Sequence, residues 1–235
     1  MRRVLLFLIS VFAFTGLIKA QDDCMAFFPK NVGDALINKS YDANNNLLNT
    51  MTYRVNTAYD DFITGKDLEV GFVMTDASNN VIDEGNLDAE YNDGVFYLKM
   101  VNRTISPQIM GILGEDTELV GDFLDYPDTF SDFPFEGNFK MDAGEFTIQS
   151  KSDKKELIRV RVYNREYEKN EKVTTPAGTF DASKITFDFD VYKDKKIVTF
   201  SGVEWYAAEA GIVRSETYSN KQLQNYTVLT SLIKK

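Results

Sequence analysis

A chain of 235 residues with 36 acids, 26 basic residues and no histidine closes off several chemistries at the outset. Without histidine there is no Ser-His-Asp or Cys-His catalysis and no His-based zinc or iron site, and one cysteine builds neither a zinc cluster nor an internal disulfide. The net charge of −10 repels phosphate backbones, so nucleic acid is not an expected partner.

The amino terminus reads as an export signal. Arg2 and Arg3 precede an apolar run from Val4 to Ile18, and Lys19-Ala20-Gln21 follows, the pattern of a secretory signal peptide cleaved after Ala20. The run is short for a membrane span of roughly 20 residues. Removing residues 1–20 takes away Arg2, Arg3 and Lys19 and no acid, so the exported chain is more acidic still. A location in the periplasm or against the outer membrane is the expectation. Lipid attachment at Cys24 is the second reading, disfavoured because Gln21, Asp22 and Asp23 stand where small and apolar residues are wanted. After the cut, residues 21–235 are expected to form a single domain.

From Gly33 onward, extended segments alternate with turns. Ala35 to Tyr41 leads into Asp42-Ala43-Asn44-Asn45-Asn46, and a long segment follows with Met51, Tyr53 and Val55 on one face. The same device recurs at Asp76-Ala77-Ser78-Asn79-Asn80 and at Ser219-Asn220-Lys221-Gln222, and Asp93-Gly94 is a strong hairpin signal. The exception is residues 105–126. Ser106-Pro107 resembles a helix start, with Ile105, Ile109, Ile112 and Leu113 at helical spacing, and Asp116 could cap a second short helix carrying Leu119, Val120, Phe123 and Leu124. Strand patterning resumes at Gly144. Leu157 to Tyr167 alternates, with Arg159, Arg161, Tyr163 and Arg165 on one face and Ile158, Val160 and Val162 on the other. Thr175-Pro176-Ala177-Gly178 reads as a turn between two strands, because proline presets its φ for the second turn position. About eleven strands joined by tight turns make a mainly β fold: a large antiparallel sheet, strongly curved into an open barrel, with one short helical segment.

The corner Thr175-Pro176-Ala177-Gly178-Thr179-Phe180, followed by Trp205-Tyr206-Ala207 and Gly211-Ile212-Val213-Arg214-Ser215-Glu216, resembles the exported TapB-like proteins. Asp125-Tyr126-Pro127 gives weaker support, and the resemblance covers mainly residues 130–235. It implies a lipoprotein-carrier (LolA-like) curved sheet with a hollow apolar side, and it carries no catalytic residues to transfer. Ala207-Ala208-Glu209-Ala210 departs from the glycine-containing turn expected after Trp205-Tyr206.

An enzyme built from this chain would rely on carboxylates. Glu166 and Glu168, two apart on a strand, share a face, but with 36 acids chance pairs are expected, and the reading is non-enzymatic. Asp42 to Asn46 begins like a calcium loop, yet Leu47 and Tyr53 occupy the positions that need glycine and glutamate. Asp122, Asp125, Asp128 and Asp132 offer hard oxygens close in sequence, but no cofactor or metal is assigned. Aromatic residues, 13% of the chain, suit strands and cores, and the sharper reading is that some line an apolar cavity. Trp205, Phe123, Leu124 and Ile109 are the candidate ligand-binding residues. The expected partner is an apolar small molecule or lipid, with an envelope protein as the alternative.

Overall fold

The structure, a computed structural model, describes residues 29, 31–61, 65–92, 95–99, 116–121, 123–127 and 139–235. The proposed signal peptide, Cys24, Ile109 and the Ser106–Leu113 segment lie outside these residues. Where the sequence alternates polar and apolar residues the chain is extended, giving β1 (Ala35–Asp42), β2 (Leu47–Asp61), β3 (Gly65–Asp76), β4 (Val81–Asn92) and β5 (Val95–Lys99). Short strands β6 (Thr117–Gly121), β7 (Phe123–Pro127) and β8 (Phe139–Lys140) follow. The carboxy-terminal half is a meander of β9 (Gly144–Ser150), β10 (Glu156–Thr175), β11 (Gly178–Lys193), β12 (Lys196–Ala207), β13 (Gly211–Ser219) and β14 (Gln222–Ile233).

The fourteen strands among the described residues belong to one antiparallel sheet, ordered β6-β9-β10-β11-β12-β13-β14-β1-β2-β3-β4-β5-β7, with β8 pairing β10 beside this path. The last strand of the chain pairs with the first, so the two halves form one surface. That surface is bent. In a flat sheet β10 would stand roughly 14 Å from β13 at a spacing of about 4.8 Å per strand. Instead, β10 comes within 8 Å of both β13 and β14, measured between Cα atoms. The two ends of the strand order are also joined by a short length of chain, because β6 ends at Gly121 and β7 begins at Phe123. Bending lets one core cluster draw Val55, Leu68 and Val70 from one half and Phe146, Ile148, Val160, Val162 and Ile185 from the other.

The turns follow their residues. Asp42 accepts hydrogen bonds from the backbone N–H groups of Asn44 and Asn46, and Asp76 does the same for Ser78 and Asn80. Asn45 and Asn79 both sit at φ 66°, a left-handed conformation that asparagine tolerates. The Pro176-Ala177 corner closes β10 onto β11 with Thr175 opposite Gly178, as the sequence indicates.

Two expectations are corrected. The helix capped by Asp116 does not form: Leu119 and Val120 are strand residues of β6 opposite Ile148 and Thr147, and Phe123 and Leu124 belong to β7, opposite Lys99 and Leu98. Short apolar runs carry no period long enough to separate strand from helix, and the pairing partners decide. Gly121 shows the fit, since a Cβ there would lie 2.5 Å from the Cα of Phe146. Arg165 is also not on the face of Arg159 and Arg161. Asn164, at φ 51°, lies within a register shift between Tyr163 and Glu166. The irregularity reverses the alternation, and Arg165 turns inward to 2% exposure, donating from Nη1 to the carbonyl of Asp142 at 2.8 Å.

Candidate functional site

Among the described residues, the β11–β12 hairpin supplies an apolar opening. Its register is unbroken from Lys193↔Lys196 to Ala182↔Ala207, so alternate residues of both strands share a face. One face descends as a ladder. Lys193 and Lys196 stand at the top, then Val191 and Val198, then Phe189 and Phe200 with rings stacked 5.1 Å apart. Below them Phe187 lies over Gly202, and Ile185 with Glu204 and Ser183 with Tyr206 complete it. The opposite face is polar over its upper part. Asp190 accepts from Thr199 at 2.6 Å and from the Tyr163 hydroxyl at 3.2 Å, while Asp188 accepts from Ser201 and Asn164, each at 2.9 Å.

The bottom of the apolar ladder is filled and the top is open, and the length of the next strand sets the difference. β13 pairs with β12 only as far as Tyr218↔Ser201, so Lys196–Phe200 overshoot it. The step leaves a groove of about 400 Å³ lined by Phe189, Val191, Val198 and Phe200, with Lys193, Asp194 and Lys196 at the rim and Thr217, Gln224 and Asn225 across from them. Phe189 is buried, whereas Val198 is 47% exposed. The arrangement offers aromatic and aliphatic surface beneath a rim of two cations and one acid, the complement of an amphiphile whose head carries a net negative charge.

A second cleft of about 560 Å³ lies lower on the sheet, among Lys140, Met141, Arg165, Glu166, Phe187 and Asp188. It is polar. Glu168, the other carboxylate of the sequence pair, is held by Lys184 at 2.6 Å.

The sequence-derived ligand residues are not brought together at the groove. Trp205 stands on the opposite face of β12 from Val198 and Phe200, 9% exposed, with its Nε1 donating to Glu171 at 2.5 Å and Arg214 over its ring. That hydrogen bond holds the Glu171 carboxyl below the ordinary glutamate value. Phe123 and Leu124 lie on β7, at the far end of the strand order from β9 and β10. The groove residues themselves are not singled out by the sequence. Their signal is an apolar alternation over Phe187, Phe189 and Val191 running into Lys193-Asp194-Lys195-Lys196, but nothing local reveals where β13 stops.

A DUF3108-like family model matches residues 31–229, nearly the whole described chain. The chain belongs to the DUF3108-like family. Two crystal structures share its architecture. One is a candidate exported protein with a YmcC-like fold from Bacteroides fragilis, 32% identical, with a TM-score of 0.80 over 88% of this chain and 99% of that one. The other is a candidate lipoprotein from Parabacteroides distasonis, 30% identical, with a TM-score of 0.81 over 88% of this chain and 98% of that one. Neither is described as TapB-like or LolA-like. A comparison with curated proteins finds no match. The family match also reaches well beyond residues 130–235, taking in the amino-terminal strands.

Proposed function

We propose that this DUF3108-like protein is an exported, non-enzymatic binding module of the bacterial cell envelope that holds a lipid-like or other apolar ligand against its bent sheet. The observation that carries the reading is the ladder of Val191, Val198, Phe189 and Phe200 in an open groove of about 400 Å³, on the same face as the core. Export is supported by the signal-like residues 1–20 and by the descriptions of the two structural neighbours as a candidate exported protein and a candidate lipoprotein. An open barrel is the shape we assign to the sheet, supported by the approach of β10 to β13 and β14 and by the short link between β6 and β7. The non-enzymatic part rests on the absence of histidine and on the pairing of Glu168 with Lys184.

The experiment is uptake of a fluorescent fatty acid. Saturable binding that Val191→Trp abolishes by filling the groove, and that Trp205→Phe leaves unchanged, is the expected result. Loss on Trp205→Phe with Val191→Trp silent would move the ligand to the other face of β12. No uptake by the delipidated protein would sink the ligand reading and favour the alternative, an adaptor for another envelope protein, which crosslinking in cells would then have to show.

A further inference from the structure

The tip of the β11–β12 hairpin carries a second feature, which shares Val198, Lys193 and Lys196 with the groove and extends beyond it to Lys195 and Ile197. Ile197 is 59% exposed and Val198 is 47% exposed, and because they are consecutive strand residues they point to opposite faces. A ligand lying in the groove reaches Val198 and not Ile197. Covering both requires immersion of the whole tip. Around them stand Lys193, Lys195 and Lys196, all exposed, with Asp194 the one acid of the turn. Among the described residues no ion pair engages these three lysines or Lys221 on the next turn along the sheet. Tyr192 pairs with Ile197 in the ladder, with the Arg159 guanidinium 4.3 Å over its ring. Lysines around exposed aliphatic residues, with a tyrosine and an arginine one step behind, match the interfacial layer of a bilayer, where cationic side chains reach the headgroups and aromatic ones sit at their level.

We propose that this hairpin tip docks the protein on anionic phospholipid surfaces. Charge supplies the partner's sign. The chain as a whole has a net charge of −10, yet Lys193-Asp194-Lys195-Lys196 has three cations and one anion. The tip also projects. β12 runs on past Ser201 to Lys196 while β13 turns back after Ser219, level with Phe200, an overshoot of roughly four residues or about 13 Å. That exceeds the screening length of about 8 Å at physiological salt, so an anionic surface meeting the tip is shielded from most of the acidic body. The neighbouring β9–β10 turn adds no net positive charge, since Lys151, Lys154 and Lys155 are balanced by Asp153, Glu156, Asp116 and Glu118, so the cationic surface is that of the β11–β12 tip.

The molecule contains its own control. Val81 and Ile82 are 57% and 51% exposed just after the β3–β4 turn, at the same end of the sheet, but Asp76, Asp83 and Glu84 surround them in sequence and no lysine does. Exposure alone predicts that both pairs bind membranes; exposure with cations predicts that only the first does.

The test is co-sedimentation of the exported chain, carrying Cys24→Ser so that no acyl anchor contributes, with vesicles of phosphatidylcholine alone or mixed with phosphatidylglycerol. Binding is expected to the mixed vesicles only and to weaken with salt. Lys195→Glu with Lys196→Glu should lower it by at least about tenfold, given roughly fivefold per cation near the surface. Ile197→Asp with Val198→Asp should do likewise, while Val81→Asp with Ile82→Asp leaves it unchanged. Urea midpoints for each variant establish that the fold is retained. Equal binding to neutral vesicles, insensitivity to the lysine reversals, equal loss from the Val81/Ile82 variant, or binding only to an acidic protein would each overturn the proposal. Val191→Trp separates this surface from the ligand groove, since it should block fatty-acid uptake and leave vesicle binding intact.

Discussion

The two ends of the β11–β12 ladder share one hairpin, one register and one face, and they differ in everything that burial can change. At the lower end Ile185 and Tyr206 are each 1% exposed, and the Tyr206 hydroxyl hydrogen-bonds the buried Glu204. At the upper end Val198 is half exposed and the step beyond β13 leaves space beside it. The alternation is the same along the whole hairpin, so the pattern of side chains does not decide which part is core and which part is opening. Neighbouring strand length decides it: where β13 and β10 flank the ladder it packs, and where β13 has already turned it does not.

The largest effect expected from this difference is in stability. Ile185→Ala should cost about 2–5 kcal/mol, as for other fully buried aliphatic truncations, whereas Val198→Ala should stay within about 0.5 kcal/mol. Urea unfolding of the two variants reads the contrast directly, and similar costs would mean that the upper ladder is covered in solution. Next in size is the boundary between the ends. A Cβ on Gly202 would lie 2.3 Å from the Phe187 ring, so Gly202→Ala must displace that ring and is expected to cost about 1–3 kcal/mol. Its ring neighbour Phe189, itself stacked on Phe200, lies just above, so the same variant should also weaken fatty-acid binding. A destabilised variant with unaltered binding would separate the packed end from the groove altogether.

How much of this is legible in the amino-acid sequence follows the same division. The Asn-rich turns, the Pro176-Ala177 corner and the inward set Ile158, Val160 and Val162 are readable because each is fixed within a few residues. Arg165 is not, because an irregularity at Asn164 reverses the facing of Arg165 and Tyr167 before a second shift between Tyr167 and Lys169 restores it, and asparagine at that point does not announce one. Thr117–Gly121 and Phe123–Pro127 read as helix because five apolar-rich residues fit either period, and the partners β9 and β5 are far away in the chain. Trp205 stands out as the only tryptophan, but its facing is decided by pairing with Lys184, which sets it opposite to the groove. The groove is the least legible part, since it exists only through the relative lengths of β12 and β13.

A smaller test probes β13 beside the step. The Tyr218 hydroxyl hydrogen-bonds Glu216, and that bond, with burial second, pushes its pKa up to about 12. A phenol whose pKa is raised on folding contributes stability that is complete below the unfolded value of about 10 and is lost as pH rises toward 12. Burial also raises Tyr163 and Tyr167, so spectroscopic titration of tyrosinate should show a group of late tyrosines, of which one moves earlier in Glu216→Gln, with the alkaline loss of stability flattening between those two values. An unchanged late titration would assign it to another residue and leave the end of β13 less firmly held than the geometry shows.

The smallest effect concerns how the open end holds its turns without a core beneath them. Asp42 and Asp76 lie at that end, and in each the side-chain hydrogen bond from the following asparagine, Asn46 or Asn80, is the leading cause of a carboxyl pKa below the ordinary value, with the backbone N–H of the same residue next. A carboxyl lowered on folding contributes stability above its unfolded pKa and loses it as pH falls through the folded value, so the contribution is present at neutral pH and disappears only in acid. Both groups are exposed, and salt and water screen them, so the effect on global stability is small and the local readout is the sensitive one. Asp42→Asn and Asp76→Asn should each raise amide exchange in their own turn at neutral pH, leave the other turn unchanged, and converge with the parent protein as pH falls below the ordinary aspartate range. Coupling between the two turns would show instead that the open end is ordered as one unit, by pairing through β2 and β3 and not by each loop's own hydrogen bonds.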